Sequence, residues 1–208
     1  MGYDKRISEL RGASELQGGE LFATVQSSET KYTTLNNIKS YMTGSIGGIG
    51  GSGHGWARYD DSQYTKVSPL IVTSSQQLVL PNNANNTINS YMNSSVEFYN
   101  STSKKIQMEN DGDVYSMVIV FEAKAPNANQ THMGLTLSST GTTPYDRVSK
   151  SLVFAKGNDL WENYYESFHF YADSDFVTNG NQWKLTSVGG TVNIANVIYF
   201  IQRTFNAG

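Results

Sequence analysis

The chain has 208 residues, a formal net charge of −3 and no cysteine. Its 15 basic residues are dispersed and outnumbered by 18 acidic ones, which excludes the field of lysine and arginine that binds nucleic acid or an anionic membrane. The lack of cysteine excludes disulfides, cysteine-ligated zinc and thiol catalysis. Only 16% of the residues are charged, whereas tyrosine (13) and phenylalanine (9) are frequent, and this composition favours strands and turns over helices.

The first ten residues, MGYDKRISEL, contain no apolar stretch, so we expect no secretory signal. No apolar run approaches the roughly 18 residues that a membrane-spanning helix requires. We therefore expect a protein that is made soluble in a reducing cytoplasm.

Residues 1–43 are expected to form a small module. ELFATVQ (20–26) alternates apolar and polar residues, as a half-buried strand does, and KYTTL (31–35) follows the turn-forming SSET (27–30) as a second strand. NNIKSYM (36–42) has apolar residues at helical spacing, with an asparagine placed to cap the helix. A piece of this size buries little surface by itself, so we expect it to dock on a neighbour.

Seven glycines lie between Gly44 and Gly55. Among them, GIGGSG (48–53) matches the GxGxxG pattern of dinucleotide-binding loops, but that loop needs a buried strand before it and a helix after it. Neither pattern flanks it here, and a short motif without its context is weak evidence. Because glycine loses more backbone entropy on ordering than any other residue, we interpret residues 44–55 as a linker between residues 1–43 and 56–208.

Residues 56–208 contain short apolar and aromatic runs that are separated by clusters of turn-forming residues. Strands of this number and spacing predict an all-β sandwich, jelly roll or barrel. The predicted strands are 63–72, 76–80, 95–99, 104–108, 114–124, 131–138, 148–155, 164–171, 182–188 and 191–204.

Two of these strands are apolar on both faces. VYSMVIVFEAK (114–124) is therefore expected to be a central strand that is covered on both sides. VNIANVIYFIQRTF (192–205) carries five consecutive apolar residues at 197–201. A strand of this kind promotes aggregation when it is exposed, and burial at a subunit interface would remove that hazard.

No metal-binding arrangement stands out among the titratable residues. The three histidines have no second histidine at metal-binding spacing; they are His54, His132 and His169. The acidic pairs are Asp60/Asp61, Asp111/Asp113 and Asp173/Asp175. NDGD (110–113) could hold calcium in a turn, but the bidentate glutamate of the full loop is missing, and Asp-Gly favours a hairpin turn.

No catalytic arrangement stands out either. Nothing singles out two carboxylates as a glycosidase pair, and the GxSxG nucleophile elbow does not occur. We therefore expect a protein that is not an enzyme and that uses no cofactor and no metal.

Residues 5–42, KRISELRGASELQGGELFATVQSSETKYTTLNNIKSYM, resemble the N-terminal module of many tailed-bacteriophage virion proteins. That module has an Ile-Ser-Glu-Leu opening, a Leu-x-Gly element, a Glu-Leu-Phe strand, a Gln-x-x-x-Thr-Lys hairpin and a closing Ile-Lys-x-Tyr helix. The resemblance implies that residues 1–43 anchor the protein in a virion. The expected anchoring residues are Ile7, Leu10, Leu16, Leu21, Phe22, Val25, Ile38 and Tyr41.

Residues 55–90, GWARYDDSQYTKVSPLIVTSSQQLVLPNNANNTINS, with FYNSTSKKI (98–106) and the two strands at 114–124 and 192–205, are similar to the C-terminal domains of phage fibre and capsid-decoration proteins. The resemblance implies a TNF-like jelly-roll β-sandwich over residues 56–208, a homotrimer and no enzymatic activity. Residues expected in the trimer interface or the core are Trp56, Tyr165, Phe168, Phe170, Tyr199, Phe200 and Ile201. Alternation favours the core for Phe168 and Phe170.

The resemblance implies a structural protein of the virion, since such domains occur on heads, tails and fibres alike. We expect a capsid decoration or head-fibre protein on the capsid surface, because an anchor, a linker and one head domain leave no shaft to reach a distant receptor. Its expected partners are further copies of itself and the major capsid protein or another virion protein. The alternative is a short tail fibre in which loops such as NNANNT (82–87) or TNGN (178–181) contact host surface glycans.

Overall fold

The computed structural model describes residues 21–26, 29–34, 54–126, 132–154 and 159–208. The chain divides into two units, Met1–Gly51 and Ser52–Gly208. In the first unit, strands β1 (Leu21–Gln26) and β2 (Glu29–Thr34) pair antiparallel. The hairpin that the alternating sequence predicts is therefore present.

Three of the expected anchoring residues, Leu21, Phe22 and Val25, lie in β1. The predicted helix at 36–42 and the glycines at 44–53 lie outside the described residues. So do the remaining expected anchoring residues, which are Ile7, Leu10, Leu16, Ile38 and Tyr41.

In the described part of the second unit, strands make up nearly all of the regular secondary structure, and there is one short helix. The strands are β3 (Gly55–Asp60), β4 (Leu70–Val72), β5 (Gln77–Val79), β6 (Asn86–Ile88), β7 (Tyr99–Asn100), β8 (Lys105–Ile106), β9 (Val114–Lys124), β10 (His132–Ser139), β11 (Asp146–Val153), β12 (Glu162–Tyr171), β13 (Asn181–Val188) and β14 (Val192–Phe205). Helix α1 (Ser174–Asn179) lies between β12 and β13.

These strands form two antiparallel sheets. The β9 sheet has the order β12-β9-β14-β3-β6, with β4 also paired to β14; the β10 sheet has the order β11-β10-β13-β8-β7, with β5 also paired to β13. In a jelly roll of eight strands named A to H, one sheet has the order A-H-C-F and the other has the order B-G-D-E. Here β3 takes the place of strand A and β8 to β14 take the places of B to H, so the two sheets have this arrangement. The expected mainly β, jelly-roll sandwich is confirmed.

The hydrophobic core lies between the two sheets because each strand turns alternate side chains inward. In β9 the inward residues are Tyr115, Met117, Ile119, Phe121 and Ala123, and all are buried. The residues between them, on the other face, are only half-buried. β9 is central, between β12 and β14, but one face alone is covered within this unit.

A β-bulge interrupts the alternation of buried residues along β14. The pairing with β9 shifts between Ala195 and Ile198, and Asn196 there has φ 54°. Val192 and Ile194 are buried before the bulge, Ala195 is buried where the pairing shifts, and beyond it the buried residues are odd-numbered, from Val197 onwards. The extra residue changes which face each later side chain occupies.

The predicted strand at 63–72 is largely wrong. Strands occur at Gly55–Asp60 and Leu70–Val72, and a loop that Asp61 organises lies between them. The Asp61 carboxylate accepts hydrogen bonds from the backbone amides of Tyr64 (2.8 Å) and Asn83 (2.9 Å). This follows from the tendency of aspartate to bond nearby backbone groups in turns.

Candidate functional site

The outer face of the β9 sheet is apolar at its centre. In the register of the sheet, Phe200 lies opposite Val118, Ile198 lies opposite Val120, and Val120 lies opposite Tyr165. The Trp56 ring stacks on Phe200 with centroids 5.4 Å apart. We call this surface the apolar face; it comprises Trp56, Val118, Val120, Tyr165, Ile198 and Phe200.

Polar residues surround the apolar face. Arg58 Nε contacts Asp60 Oδ1 at 2.8 Å, and Lys66 Nζ contacts Glu122 Oε1 at 2.6 Å. On another side, Gln202 lies opposite Ser116. An apolar centre with a polar rim is the usual anatomy of a protein–protein interface.

The outer face of the β10 sheet is different. Thr136 lies between Ser149 and Lys184 in the register, and Gly134 lies between Ser151 and Thr186. The hydroxyls of Thr136 and Ser149 are hydrogen-bonded at 3.1 Å. Small and polar residues of this kind suit a sheet that faces water.

The residues expected in the trimer interface or the core fall into two groups, because successive residues of a strand point to opposite faces of the sheet. Trp56 and Phe200 lie on the apolar face, and Tyr165 also lies there with 70% of its surface exposed. Four others lie in the core: Phe168, Phe170, Tyr199 and Ile201. Phe168 packs on Trp183 with ring centroids 4.5 Å apart, and the Tyr199 hydroxyl donates to the Leu80 carbonyl at 2.9 Å.

Sequence reasoning missed three residues of the apolar face, and it also missed Tyr91, which packs beside that face. Val118, Val120 and Ile198 belong to strands that are apolar on both faces, and this pattern indicates that their outer face is covered. Tyr91 stacks on Trp56 with centroids 5.1 Å apart. Tyr91 lies in a loop, and no local sequence pattern predicts its contact with Trp56.

A buried charge cluster fixes the end of the sandwich where β14 finishes. Arg203 is 1% exposed, and its guanidinium contacts Glu109, Asp113 Oδ2 (3.2 Å) and the Asn93 carbonyl (2.7 Å). Burial raises the pKa of Glu109, but hydrogen bonds from Ser95 and Arg203 outweigh it and lower this pKa to about 2. Asp113, an acid considered above for calcium, is thus held by an arginine.

A second ion pair joins β11 to helix α1. Arg147 donates two hydrogen bonds of 2.7 Å to the Asp173 carboxylate and one of 3.1 Å to Asp175. Asp173 also caps the helix by accepting from the Phe176 amide at 2.8 Å. The Arg147 hydrogen bonds lower the pKa of Asp173 to about 2 against the opposing effect of burial. This acidic pair therefore has a structural role.

The three histidines lie on separate elements. His132 begins β10, His169 lies on the exposed side of β12, and His54 precedes β3. In the part of the chain that the structure describes, no three His, Asp or Glu side chains are grouped so as to hold a metal. None of the helices in that part has the length and hydropathy to cross a bilayer. NDGD forms a turn in which the Asp113 amide donates to the Asn110 carbonyl at 3.2 Å.

No family model matches the chain, and no curated protein matches it. Among solved structures, the chain is similar to the Eiger TNF from S. frugiperda, with 8% identity and a TM-score of 0.47 over 75% of this chain and 96% of the other. It is also similar to the PRD1 vertex protein P5, with 10% identity and a TM-score of 0.43 over 95% of this chain and 87% of the other. At these identities the likeness concerns the fold alone.

Proposed function

We propose that this protein is a non-enzymatic structural component of a bacteriophage virion, a capsid decoration or head-fibre protein whose jelly roll forms a homotrimer. The observation that carries the proposal is the difference between the two outer faces of the sandwich. One presents aromatic and aliphatic side chains, and the other presents threonine, serine and lysine at its centre, with the exposed Val153 and Val188 at one end. An apolar surface of this kind on a water-exposed protein marks an association site.

The apolar face supports self-association in particular. It is an ordered sheet surface with a polar rim, and its aromatic anchors are already packed against each other, so little side-chain entropy remains to be lost. Covering it also removes the exposure of the apolar positions of β14. The sequence resemblance to phage fibre and decoration domains supports three copies.

The virion location rests on the resemblance of residues 5–42 to phage virion modules. Under this proposal the N-terminal unit binds the major capsid protein or another virion protein, and the jelly roll stabilises the shell or displays an adhesive surface. The alternative is a short tail fibre that contacts host glycans. Electron microscopy of virions labelled with an antibody against this chain separates the two: label over the shell supports the first, and label at the tail alone supports the second.

Sedimentation equilibrium tests self-association directly. We expect the wild-type protein to have three times the mass of one chain at micromolar concentration. Phe200→Asp and Tyr165→Lys, which place charges on the apolar face, should give a monomer, because a buried unpaired charge opposes association. Thr136→Asp, on the outer face of the β10 sheet, is the matched control and should remain trimeric.

Circular dichroism of each variant shows whether its fold is retained. Tyr165 is largely exposed, so Tyr165→Lys should keep the fold even if Phe200→Asp does not. A monomeric wild-type protein, or a folded Tyr165→Lys variant that is still trimeric, would contradict the proposal.

A further inference from the structure

Two clefts adjoin along the segment 84–110, and Asn89 lines both. The first cleft, of about 630 Å³, is lined chiefly by Asn89, Ser90, residues 92–95, Asn110 and Asn206. The second, of about 370 Å³, is lined chiefly by Thr87, Glu97 and residues 99–102. The second cleft lies beside the edge strands β6 and β7, whereas Ser90 and Met92 of the first cleft flank Tyr91, whose ring stacks on Trp56.

The side chains that line the clefts are mostly uncharged hydrogen-bonding groups. Asparagine amides both donate and accept, and serine and threonine hydroxyls do the same. Two carboxylates are added, Glu97 in the second cleft and Glu109 in the first. Among the described residues that line the two clefts there is no lysine, and the Arg203 guanidinium is engaged by Glu109, Asp113 and the Asn93 carbonyl.

These groups are held in place before any ligand arrives. Asn89 Nδ2 donates to both Glu97 oxygens (3.0 and 3.3 Å), and the Tyr59 hydroxyl donates to Glu97 Oε1 at 2.6 Å. In the first cleft the Ser95 amide donates to Glu109 Oε1 at 3.0 Å. A carboxylate offers about four lone-pair sites, so Glu97, which accepts from Asn89 and Tyr59, keeps accepting capacity. The Glu109 oxygens already accept from the Ser95 amide and hydroxyl and from Arg203. Groups fixed in this way lose little entropy on binding.

We propose that the two clefts form one groove that binds a neutral oligosaccharide. Sugar hydroxyls donate to the Glu97 carboxylate and accept from the asparagine amides, so that a chain of sugars runs from one cleft to the other past Asn89. The two carboxylates repel anionic polymers, so the groove disfavours nucleic acid and sulfated glycans. This inference gives a site and a ligand class to the glycan contact of the tail-fibre alternative, and it does not rest on the self-association of the jelly roll.

Calorimetric titration of the full-length protein tests the groove. The probes are neutral hexasaccharides of glucose, mannose, galactose and N-acetylglucosamine, together with a sulfated hexasaccharide of the same length. We expect at least one neutral probe to bind and the sulfated probe to bind at least tenfold more weakly. Absence of binding by every neutral probe at millimolar concentration overturns the proposal, and so does preferential binding of the sulfated probe.

Two variants locate the binding. Asn89→Ala removes the amide shared by the clefts, and Thr102→Trp fills the second cleft from an exposed position. Both should weaken binding of the neutral probe at least tenfold. Ser149→Trp, an exposed substitution on the outer face of the β10 sheet, should bind as the wild type does. Unchanged binding by both groove variants overturns the assignment.

The melting temperature and the sedimentation of the same samples are measured as well. They show whether a loss of sugar binding results from unfolding or from a change of oligomeric state. A variant that melts as the wild type does and loses the sugar supports the groove. A wild-type protein that is monomeric and still binds the sugar upholds this inference while it rejects the proposed trimer.

Discussion

Arg203 shows how one residue ties distant parts of the chain together. Its guanidinium bridges Glu109 and Asp113, which precede β9, to the Asn93 carbonyl in an earlier loop. Asp113 is fully buried, so it depends on this arginine for its charge to be tolerated. Burial of a charge is tolerated here because both terminal nitrogens of Arg203 and both carboxylates have partners, although Arg203 Nε is buried without one.

The cluster predicts acid sensitivity. Because the pKa of folded Glu109 is about 2 rather than 4.5, its ionised form stabilises the fold by about 3 kcal/mol above pH 4.5. This stabilisation is lost as the pH falls towards 2. Glu109→Gln should therefore lower the free energy of unfolding at pH 7 and flatten its decline between pH 4.5 and 2, as measured by urea unfolding.

Ser95→Ala provides a graded comparison for that experiment. It removes one hydrogen bond to the Glu109 carboxylate and leaves the arginine in place, so its effect should have the same direction and be smaller. An identical pH dependence in the wild type and Glu109→Gln would show that Glu109 does not contribute in this way. Sequence reasoning could not find this cluster, because Arg203 and its partner Glu109 are separated by 94 positions.

Among the elements, β14 depends on the backbone conformation of a single residue. Asn196 has φ 54°, a region that most side chains avoid and asparagine and glycine tolerate. Its amide donates to the Tyr64 carbonyl at 2.9 Å, which joins the bulge to the loop organised by Asp61. The bulge thereby directs Ile198 and Phe200 to the apolar face.

Substitutions at Asn196 test this conformation. Asn196→Val and Asn196→Gly both lose the side-chain hydrogen bond to Glu122, but only valine adds the steric penalty of a branched side chain at positive φ. We expect Asn196→Val to be less stable than Asn196→Gly by about 1–2 kcal/mol, measured by urea unfolding. Equal stability of the two variants would exclude backbone strain as the cause.

The longer strands were predictable from their length and from the turn residues around them. Strand β9 has the predicted limits, and β10 to β14 begin and end within two residues of theirs, because each is a run of eight or more residues bounded by turn-forming residues. Helix α1 was missed because six residues are too few to establish a helical period; its start depends on Asp173 as N-cap. β6 was missed because Asn86–Ile88 is exposed and polar.

For the whole molecule, self-association predicts that stability depends on concentration. Association of folded chains raises the melting temperature by mass action, so the wild-type melting temperature should increase over a hundredfold rise in protein concentration. Tyr165→Lys should melt at a temperature independent of concentration, and Thr136→Asp should behave as the wild type. A wild-type melting temperature that does not change with protein concentration would indicate that the folded chain is a monomer.

The apolar face could be anticipated only in part at this scale. Apolar residues on both sides of β9 and β14 indicate a covered outer surface, but the register places Tyr165 beside Val120 and the loop brings Tyr91 onto Trp56. Those neighbours are set by pairing between distant strands. The sugar-binding groove is harder still, since its lining comes from short loops without periodicity.

The polar outer face of the β10 sheet has a practical consequence. The chain contains no cysteine, so Ser151→Cys on that exposed strand creates a unique thiol for a gold particle or a fluorophore. Such a label would leave both the apolar face and the groove untouched. It would therefore report the position of each head on an intact particle without disturbing the contacts that put it there.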